Sequence, residues 1–247
     1  YTSGSTGNPK GVMIEHGNLS NFLHPSEKNY ELMGLYERGT VCLAMAQMTF
    51  DVSVMEEYIP LISGNTVAYA LDDEIMNPNL MIDFLEKNKV DAMCVTPSYL
   101  SGLLKLPKVK DAFGRMKVLD LGAEAFPGTL YTRIREYNPD VMIMNGYGPT
   151  EATISCTMKV IDSEDCVTIG VPNANVYVFV IDENNKEVPK GEKGELLICG
   201  RGVGRGYINL PEKTNDVFIE YGGMRGYKSG DIVRINENDE IEYLGRR

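Results

Sequence analysis

Five short apolar runs, separated by segments with helical spacing, constrain the fold of this chain more than any other feature. "TVCLAMA" (40–46), "TVAYAL" (66–71), "DAMCVTP" (91–97), "MKVLDLG" (116–122) and "VMIMNGYG" (141–148) read as buried strands. Between them, "DVSVMEEYIPLI" (51–62) places Val54, Tyr58 and Leu61 near helical spacing, and "NPNLMIDFLEKNK" (77–89) places Leu80, Met81, Phe84 and Leu85 on one face behind an early Pro78. "SYLSGLLKL" (98–106) and "PGTLYTRIREY" (127–137) read as further helices. Such alternation predicts an α/β fold with a parallel-rich sheet and flanking helices. After about residue 160 the pattern changes. "ANVYVFVIDENNKEVPKGEKGELLICG" (174–200) reads as two strands around a polar loop, and "DIVRINENDEIEYLGR" (231–246) as a hairpin with an Asn-Asp turn. The expectation is an α/β subdomain over 1–160 followed by a small antiparallel, barrel-like β subdomain over 161–247.

Composition removes several classes. The 247 residues are 43% hydrophobic, ample for a core. Net charge is −11, with no basic stripe to neutralise phosphates, so nucleic acid is not an expected partner. No run of about eighteen apolar residues and no charged-then-apolar leader occurs, so neither a membrane span nor a secretory signal is expected, and the expected compartment is the cytoplasm. The five cysteines (Cys42, Cys94, Cys156, Cys166, Cys199) are odd in number and form no CxxC pair, which predicts reduced thiols. His16 and His24 are expected to be surface or capping residues, not metal ligands.

The chemistry-bearing stretches are rich in glycine. "YTSGSTGNPKG" (1–11) supplies the hydroxyls of Thr2, Ser3, Ser5 and Thr6, the backbone freedom of Gly4 and Gly7, and the charge of Lys10. It departs from the Walker loop, because Pro9 stands in place of a glycine and Gly11 in place of a metal-binding hydroxyl. A grip of exposed N–H groups and hydroxyls on a pyrophosphate or triphosphate fits these residues, and so does a flexible linker. "NGYGPTEAT" (145–153) adds a ring in Tyr147 able to stack on a base, a donor in Thr150, and a carboxylate in Glu151 of the type that Mg²⁺ takes alongside nucleotide phosphates. In "GYKSGDIVRI" (226–235), Asp231 stands in a tight turn where it can accept from both ribose hydroxyls.

Taken in order, "YTSGSTGNPKG", "FDVSV" (50–54), "NGYGPTE", "GELLICGRGVGRGY" (194–207), "YKSGD" and the closing "GRR" make the chain resemble, essentially end to end, the adenylation domain of nonribosomal peptide synthetases, within the wider group of acyl- and aryl-CoA ligases and luciferases. The resemblance implies activation of an amino acid with ATP and Mg²⁺ as an acyl-adenylate, release of pyrophosphate, and transfer to the phosphopantetheine thiol of a peptidyl carrier protein, within a larger multidomain chain. It implies that Thr2, Ser3, Gly4, Ser5, Thr6, Gly7 and Lys10 hold the phosphates. Tyr147 would stack on adenine beside Asn145, Gly146 and Gly148, and Gly122, Ala123 and Glu124 would line the other side of the base. Thr150 would touch the α-phosphate, Glu151 the metal, and Asp231 and Arg246 the ribose. Thr150, Glu151 and Lys10 are the candidate catalytic residues. Ser229 stands where the family usually has Thr. The family's fold extends beyond this stretch at both ends, and its second lobe carries a further lysine, so residues 1–247 alone are not expected to turn over at a useful rate.

Asp51 separates subfamilies. By resemblance it pairs with the α-ammonium of an amino acid; on residue type alone it could equally cap the helix that follows. Val52, Met55, Cys94, Leu119, Leu121, Gly146, Ile154 and Ser155 match the positions that select the side chain. None is charged, so the expected substrate is an uncharged amino acid. The alternatives are an acyl- or aryl-CoA ligase, a D-alanine–carrier protein ligase, or a non-catalytic nucleotide-binding module.

Overall fold

The computed structural model describes residues 1–2, 9–24, 26, 39–165 and 167–247. They group into two compact units, Asn29–Gly146 with Val160–Val167, and Tyr1–Lys28 with Tyr147–Lys159 and Thr168–Arg247. Strand type does change near residue 160, but the units interleave in sequence, and Tyr147–Lys159 goes with the carboxy-terminal segment.

Helix α1 (His16–Leu23) comes first in the chain and belongs to the carboxy-terminal unit. The α/β unit follows. Its strands β1 (Val41–Ala44), β2 (Thr66–Tyr69), β3 (Ala92–Val95), β4 (Val118–Gly122) and β5 (Met142–Tyr147) lie in the order β2-β1-β3-β4-β5, all parallel. The intervening helices are α2 (Val52–Ser63), α3 (Asp72–Met76), α4 (Pro78–Asn88), α5 (Pro97–Leu103), α6 (Val109–Phe113) and α7 (Gly128–Tyr137). Local chemistry sets their ends. Asn77 accepts from the Asn79 N–H at 3.0 Å ahead of Pro78, and Thr96 accepts from the Tyr99 N–H at 3.2 Å ahead of Pro97. Helix α2 stops at Gly64, which takes the left-handed conformation at φ 71°.

Burial on α2 falls on Met55, Glu56, Ile59 and Pro60, while Tyr58 and Leu61 of the expected stripe are exposed. The sheet is buried on both faces, so its strands are continuous apolar runs. Leu43, Met93, Val95, Leu119, Leu121 and Ile143 join one large core with Met81, Leu85, Leu100, Leu103 and Ile134 of the helices. Residues between them in sequence, including Cys42, Ala92, Cys94 and Asp120, point to the opposite face of the sheet.

The second unit is built on antiparallel pairing. A short ladder joins β6 (Thr157–Val160) to β7 (Val171–Pro172). Strands β8 (Val176–Ile181), β9 (Lys193–Gly200), β10 (Phe218–Tyr221) and β11 (Met224–Ile235) lie in the order β10-β11-β9-β8, and β12 (Ile241–Arg246) pairs with β11 as the expected hairpin. A seven-residue helix α8 (Pro211–Val217) precedes β10. Leu196, Ile198, Tyr207, Phe218, Tyr227, Val233 and Ile241 form its core. The β9–β11 register is interrupted between Lys228 and Ile232. That interruption sets Ser229, Gly230 and Asp231 apart from the regular ladder, as bulges do where a strand re-aims a side chain. Among the described residues no helix is long and apolar enough to cross a membrane, and no group of three or more His, Cys, Asp or Glu is placed to hold a metal ion.

Candidate functional site

Tyr207 draws three of the glycine-rich motifs together within the carboxy-terminal unit. The segment after the opening loop runs beside the Arg205–Ile208 stretch: Arg205 N–H donates to Met13 O at 2.8 Å, Met13 N–H to Gly206 O at 2.8 Å, and Ile208 N–H to Gly11 O at 2.9 Å. This ladder places the Lys10 ammonium 4.1 Å from the Tyr207 ring centroid, within cation–π range. The Tyr207 hydroxyl donates to Glu151 Oε1 at 2.5 Å, and Gly204 N–H donates to Glu151 O at 2.8 Å. Burial, then the Glu151 carboxylate, pushes the Tyr207 hydroxyl well above its ordinary range, so it stays a donor. Tyr227 hydrogen-bonds into the same group. A cation, a buried carboxylate and two phenols thus share one site. Lys10 and Thr2 also pair through their backbones, at 2.9 and 3.0 Å. Ser3, Gly4, Ser5, Thr6 and Gly7 lie outside the described residues.

A second group lies in the same unit. The Tyr147 hydroxyl donates to Asp231 Oδ2 at 2.5 Å, and Asp231 N–H donates to Ser229 Oγ at 3.0 Å. The Ser229 hydroxyl donates to Leu196 O at 2.8 Å, so the serine fixes the turn that aims Asp231. Arg246 brings its guanidinium to 3.9 Å from Asp231 Oδ1, and the Tyr243 ring lies 6.2 Å from that of Tyr147. The arrangement offers an aromatic face, a carboxylate and a cation side by side.

The segment that carries Tyr147, Thr150 and Glu151 is folded back on itself. A 3₁₀ turn spans Thr150–Ala152, and the next two residues, Thr153 and Ile154, both adopt left-handed φ, 64° and 70°. Two β-branched residues in that conformation are costly. The Thr153 hydroxyl donates to Gly202 O at 2.6 Å, and Cys156 N–H donates to Tyr147 O at 2.8 Å, which close the loop. Gly148 has no room for a side chain, because a Cβ there would lie 2.6 Å from Ile154 O. The Ser155 hydroxyl bonds to Thr157 O at 3.1 Å and so is part of this closure.

The remaining candidates belong to the α/β unit. Asp51 stands at the N-cap of α2 without a side-chain capping hydrogen bond, and Val52 follows it. Asn145 is buried on β5 beside Leu121. Gly122 and Gly146 face each other across β4 and β5, and a Cβ on Gly122 would lie 2.9 Å from Gly146 O. Ala123 turns the chain at φ 63°. Glu124 accepts from Ser98 N–H at 3.0 Å and from the Ser98 hydroxyl at 2.8 Å, an anion at the start of α5.

Here the expected side-chain pocket requires a correction. Leu119 and Leu121 are fully buried in the large core, on the opposite face of the sheet from Cys94. The residue in register with Cys94 on β4 is Asp120. Side chains alternate along a strand, so a reading displaced by one residue selects the wrong face. Nor is the Cys94 face uncharged. Glu56 on α2 joins Cys94, Met55, Ile59 and Cys42 around a small cavity of about 20 Å³. Sequence reasoning passed over Glu56, Asp120, Tyr207 and Tyr227. Asp120 is an isolated acid within an apolar run, where full burial of a charge is rare, and that context is the signal that could have singled it out; Glu56 has Glu57 beside it and carries no such signal.

A family model described as "AMP-binding enzyme" matches residues 1–208. The chain is 35% identical to gramicidin S synthase 2 of Brevibacillus brevis over its whole length, which is 6% of that protein, and 33% identical to the D-alanine–D-alanyl carrier protein ligase of Bacillus licheniformis over its whole length, 49% of that ligase. Among solved structures it superposes with a TM-score of 0.86 at 25% identity on a nonribosomal peptide synthetase protein containing adenylation and PCP domains, bound to a vinylsulfonamide inhibitor, covering 100% of this chain and 43% of that one. A four-domain nonribosomal peptide synthetase bound to AMP and glycine gives a TM-score of 0.84 at 27% identity, over 97% of this chain and 18% of that one. The chain therefore spans less than half the length of these relatives.

Proposed function

Because this chain belongs to the AMP-binding enzyme family and is an adenylate-forming ligase sequence, we propose that it activates the carboxylate of an amino acid with ATP for transfer to a carrier protein. The observation that carries this reading is the gathering of Lys10, Glu151 and Tyr207 in the same unit as the Tyr147–Asp231 pair. One group suits phosphates and their cation; the other suits a nucleoside.

In this reading an oxygen of the amino-acid carboxylate bonds to the α-phosphorus of ATP, the bond from that phosphorus to the bridging oxygen breaks, and pyrophosphate leaves. No base is needed, because the nucleophile is already ionised at neutral pH. Tyr147 stacks on the adenine ring and Asp231 accepts from the ribose hydroxyls. Thr150 donates to the α-phosphate, and Lys10 moves from the Tyr207 ring to the phosphate chain. These groups orient the reactants and balance charge on the phosphates. A buried carboxylate beside phosphates fits Mg²⁺, which takes one or two carboxylates together with phosphate oxygens, and Glu151 would hold it. Mg²⁺, when bound, draws charge from the phosphate oxygens. Asp51 pairs with the α-ammonium. A carrier thiol then forms a thioester at the acyl carbon as AMP departs. The match to gramicidin S synthase 2 over 6% of its length supports a place in a larger multidomain chain.

The test is substrate-dependent exchange of labelled pyrophosphate into ATP by the full-length protein that carries this sequence. Exchange with an amino acid, abolished in Lys10→Ala, is the expected result. Exchange with fatty or aryl acids alone would move the protein to the CoA-ligase branch. ATP binding with no exchange against any carboxylate would make it a nucleotide-binding module. D-alanine belongs in the panel because of the carrier-protein ligase relative.

A further inference from the structure

Three groups converge on the α2 face of the parallel sheet. Glu56 is 5% exposed, and its Oε2 accepts from the N–H groups of Met45 at 2.9 Å and Ala46 at 2.8 Å. Its other oxygen, Oε1, is buried and has no hydrogen-bond partner among the described residues. Asp120 is 3% exposed, and its Oδ1 is likewise buried without a partner. The Cys94 thiol is hydrogen-bonded to Asp120 and within the field of both carboxyls. Glu56 and Cys94 line the cavity of about 20 Å³ that Met55 also borders. That volume accommodates one group the size of a water molecule, which is also the size of an ammonium.

Buried carboxyl oxygens are ordinarily paired, and one left unpaired is costly. One of them, on Glu56, lines the cavity, and the other, on Asp120, belongs to the carboxyl bonded to the lining Cys94; a donor with positive charge gains most in such a place. Met55, Ile59, Pro60 and Ala92 wall the cavity, and the unbranched Met55 can give way to an aliphatic stem.

Resting on the amino-acid-activating reading above, we infer that Glu56, Cys94 and Asp120 recognise the substrate side chain, and that the amino acid activated carries a terminal primary ammonium on an aliphatic stem. An apolar side chain would leave both oxygens unpaired, and an acidic one would add a third negative group. This replaces the uncharged substrate expected from the eight matched positions, of which Leu119 and Leu121 face the other way.

The experiment is pyrophosphate exchange by the full-length protein with lysine, ornithine, diaminobutyrate, glutamine, glutamate, leucine, valine and alanine. The diamino acids are expected to exchange with a kcat/KM at least about 100-fold above leucine, a floor below the discrimination of about 10⁴ reached when a site's buried polar groups are left unpaired. Asp120→Asn keeps the shape and is expected to lower kcat/KM for the diamino acid about 100-fold, mainly through KM. Asp120→Leu is expected to move the preference toward apolar amino acids, a readout that loss of folding would not produce. Best exchange with leucine, valine, alanine, glutamine or glutamate overturns the inference and leaves amino-acid activation standing. Exchange with only non-amino carboxylates overturns both. An unchanged substrate order in Asp120→Asn and Asp120→Leu also overturns the inference.

Discussion

The Tyr207 ring serves two oppositely charged partners at once: its edge hydroxyl donates to Glu151 at 2.5 Å while its face carries the Lys10 ammonium at 4.1 Å. The two contacts are separable by substitution. Tyr207→Phe keeps the face and removes the donor. It leaves a buried carboxylate oxygen short of a partner, at a cost of about 1–3 kcal/mol. We expect a lowered melting temperature, together with a shifted Mg²⁺ requirement for pyrophosphate exchange because Glu151 is no longer held. Tyr207→Leu should lose the Lys10 contact as well and raise the KM for ATP further. An identical Mg²⁺ titration in wild type and Tyr207→Phe would show that the hydroxyl does not position Glu151.

Tyr147 and Asp231 form the second close pair. In Tyr147→Phe the ring persists and only the hydroxyl is lost, so Asp231 can swing from its aim. The expected effect is a several-fold weaker affinity for ATP with little change in kcat, and a smaller effect on a nucleotide lacking the ribose 2′-hydroxyl. Equal loss for both nucleotides would place the defect elsewhere than Asp231.

Burial pushes the Glu56 carboxyl from an ordinary 4.5 up to about 7, against the pull of the Ala46 and Met45 N–H groups. It pushes Asp120 from 3.8 up to about 6, against the Cys94 thiol. Folded-state values above the unfolded ones mean that the native state binds protons more tightly. Their contribution to stability is therefore full below about pH 4 and is lost as pH rises through 6 to 7. Each pH unit that separates a group's folded value from its unfolded one is worth about 1.4 kcal/mol. Asp120→Asn should flatten the fall in melting temperature between about pH 4 and 6, the interval between the unfolded and folded values of Asp120. A steeper fall in the variant would contradict the assignment.

The described cysteines should be slow to react. Burial pushes Cys42 up to about 12, with Asp91 adding to it, and Cys199 up to about 11; Cys94 and Cys156 are raised by burial as well. A thiol reacts as its thiolate, so iodoacetamide at a pH of about 8 should leave all four unmodified in native protein and label them after denaturation. Rapid native labelling at any of the four, read by peptide mass, would contradict this.

The parallel strands were legible because each is a continuous apolar run, and the helix starts because Asn77-Pro78 and Thr96-Pro97 carry their own capping chemistry. The motif residues Lys10, Tyr147, Glu151 and Asp231 were legible from ordered glycine-rich stretches. What escaped was orientation. Nothing in "VLDLG" tells which of two alternating sets faces α2, and the Cys94–Asp120 register supplies it only once the strands are paired. Likewise "MEEY" does not say which glutamate turns inward; Glu56 is buried, and it anchors the backbone of Met45 and Ala46. Tyr207 could be read only as part of a glycine motif, because its partners Lys10 and Glu151 stand far from it in the chain.

The left-handed turn at Thr153 and Ile154 has a consequence for the timing of ligand capture. A loop already locked by the Thr153–Gly202 and Cys156–Tyr147 contacts has few other shapes to sample. An arriving nucleotide meets a finished surface, so its association should be a single fast phase with no slower rearrangement of this segment behind it.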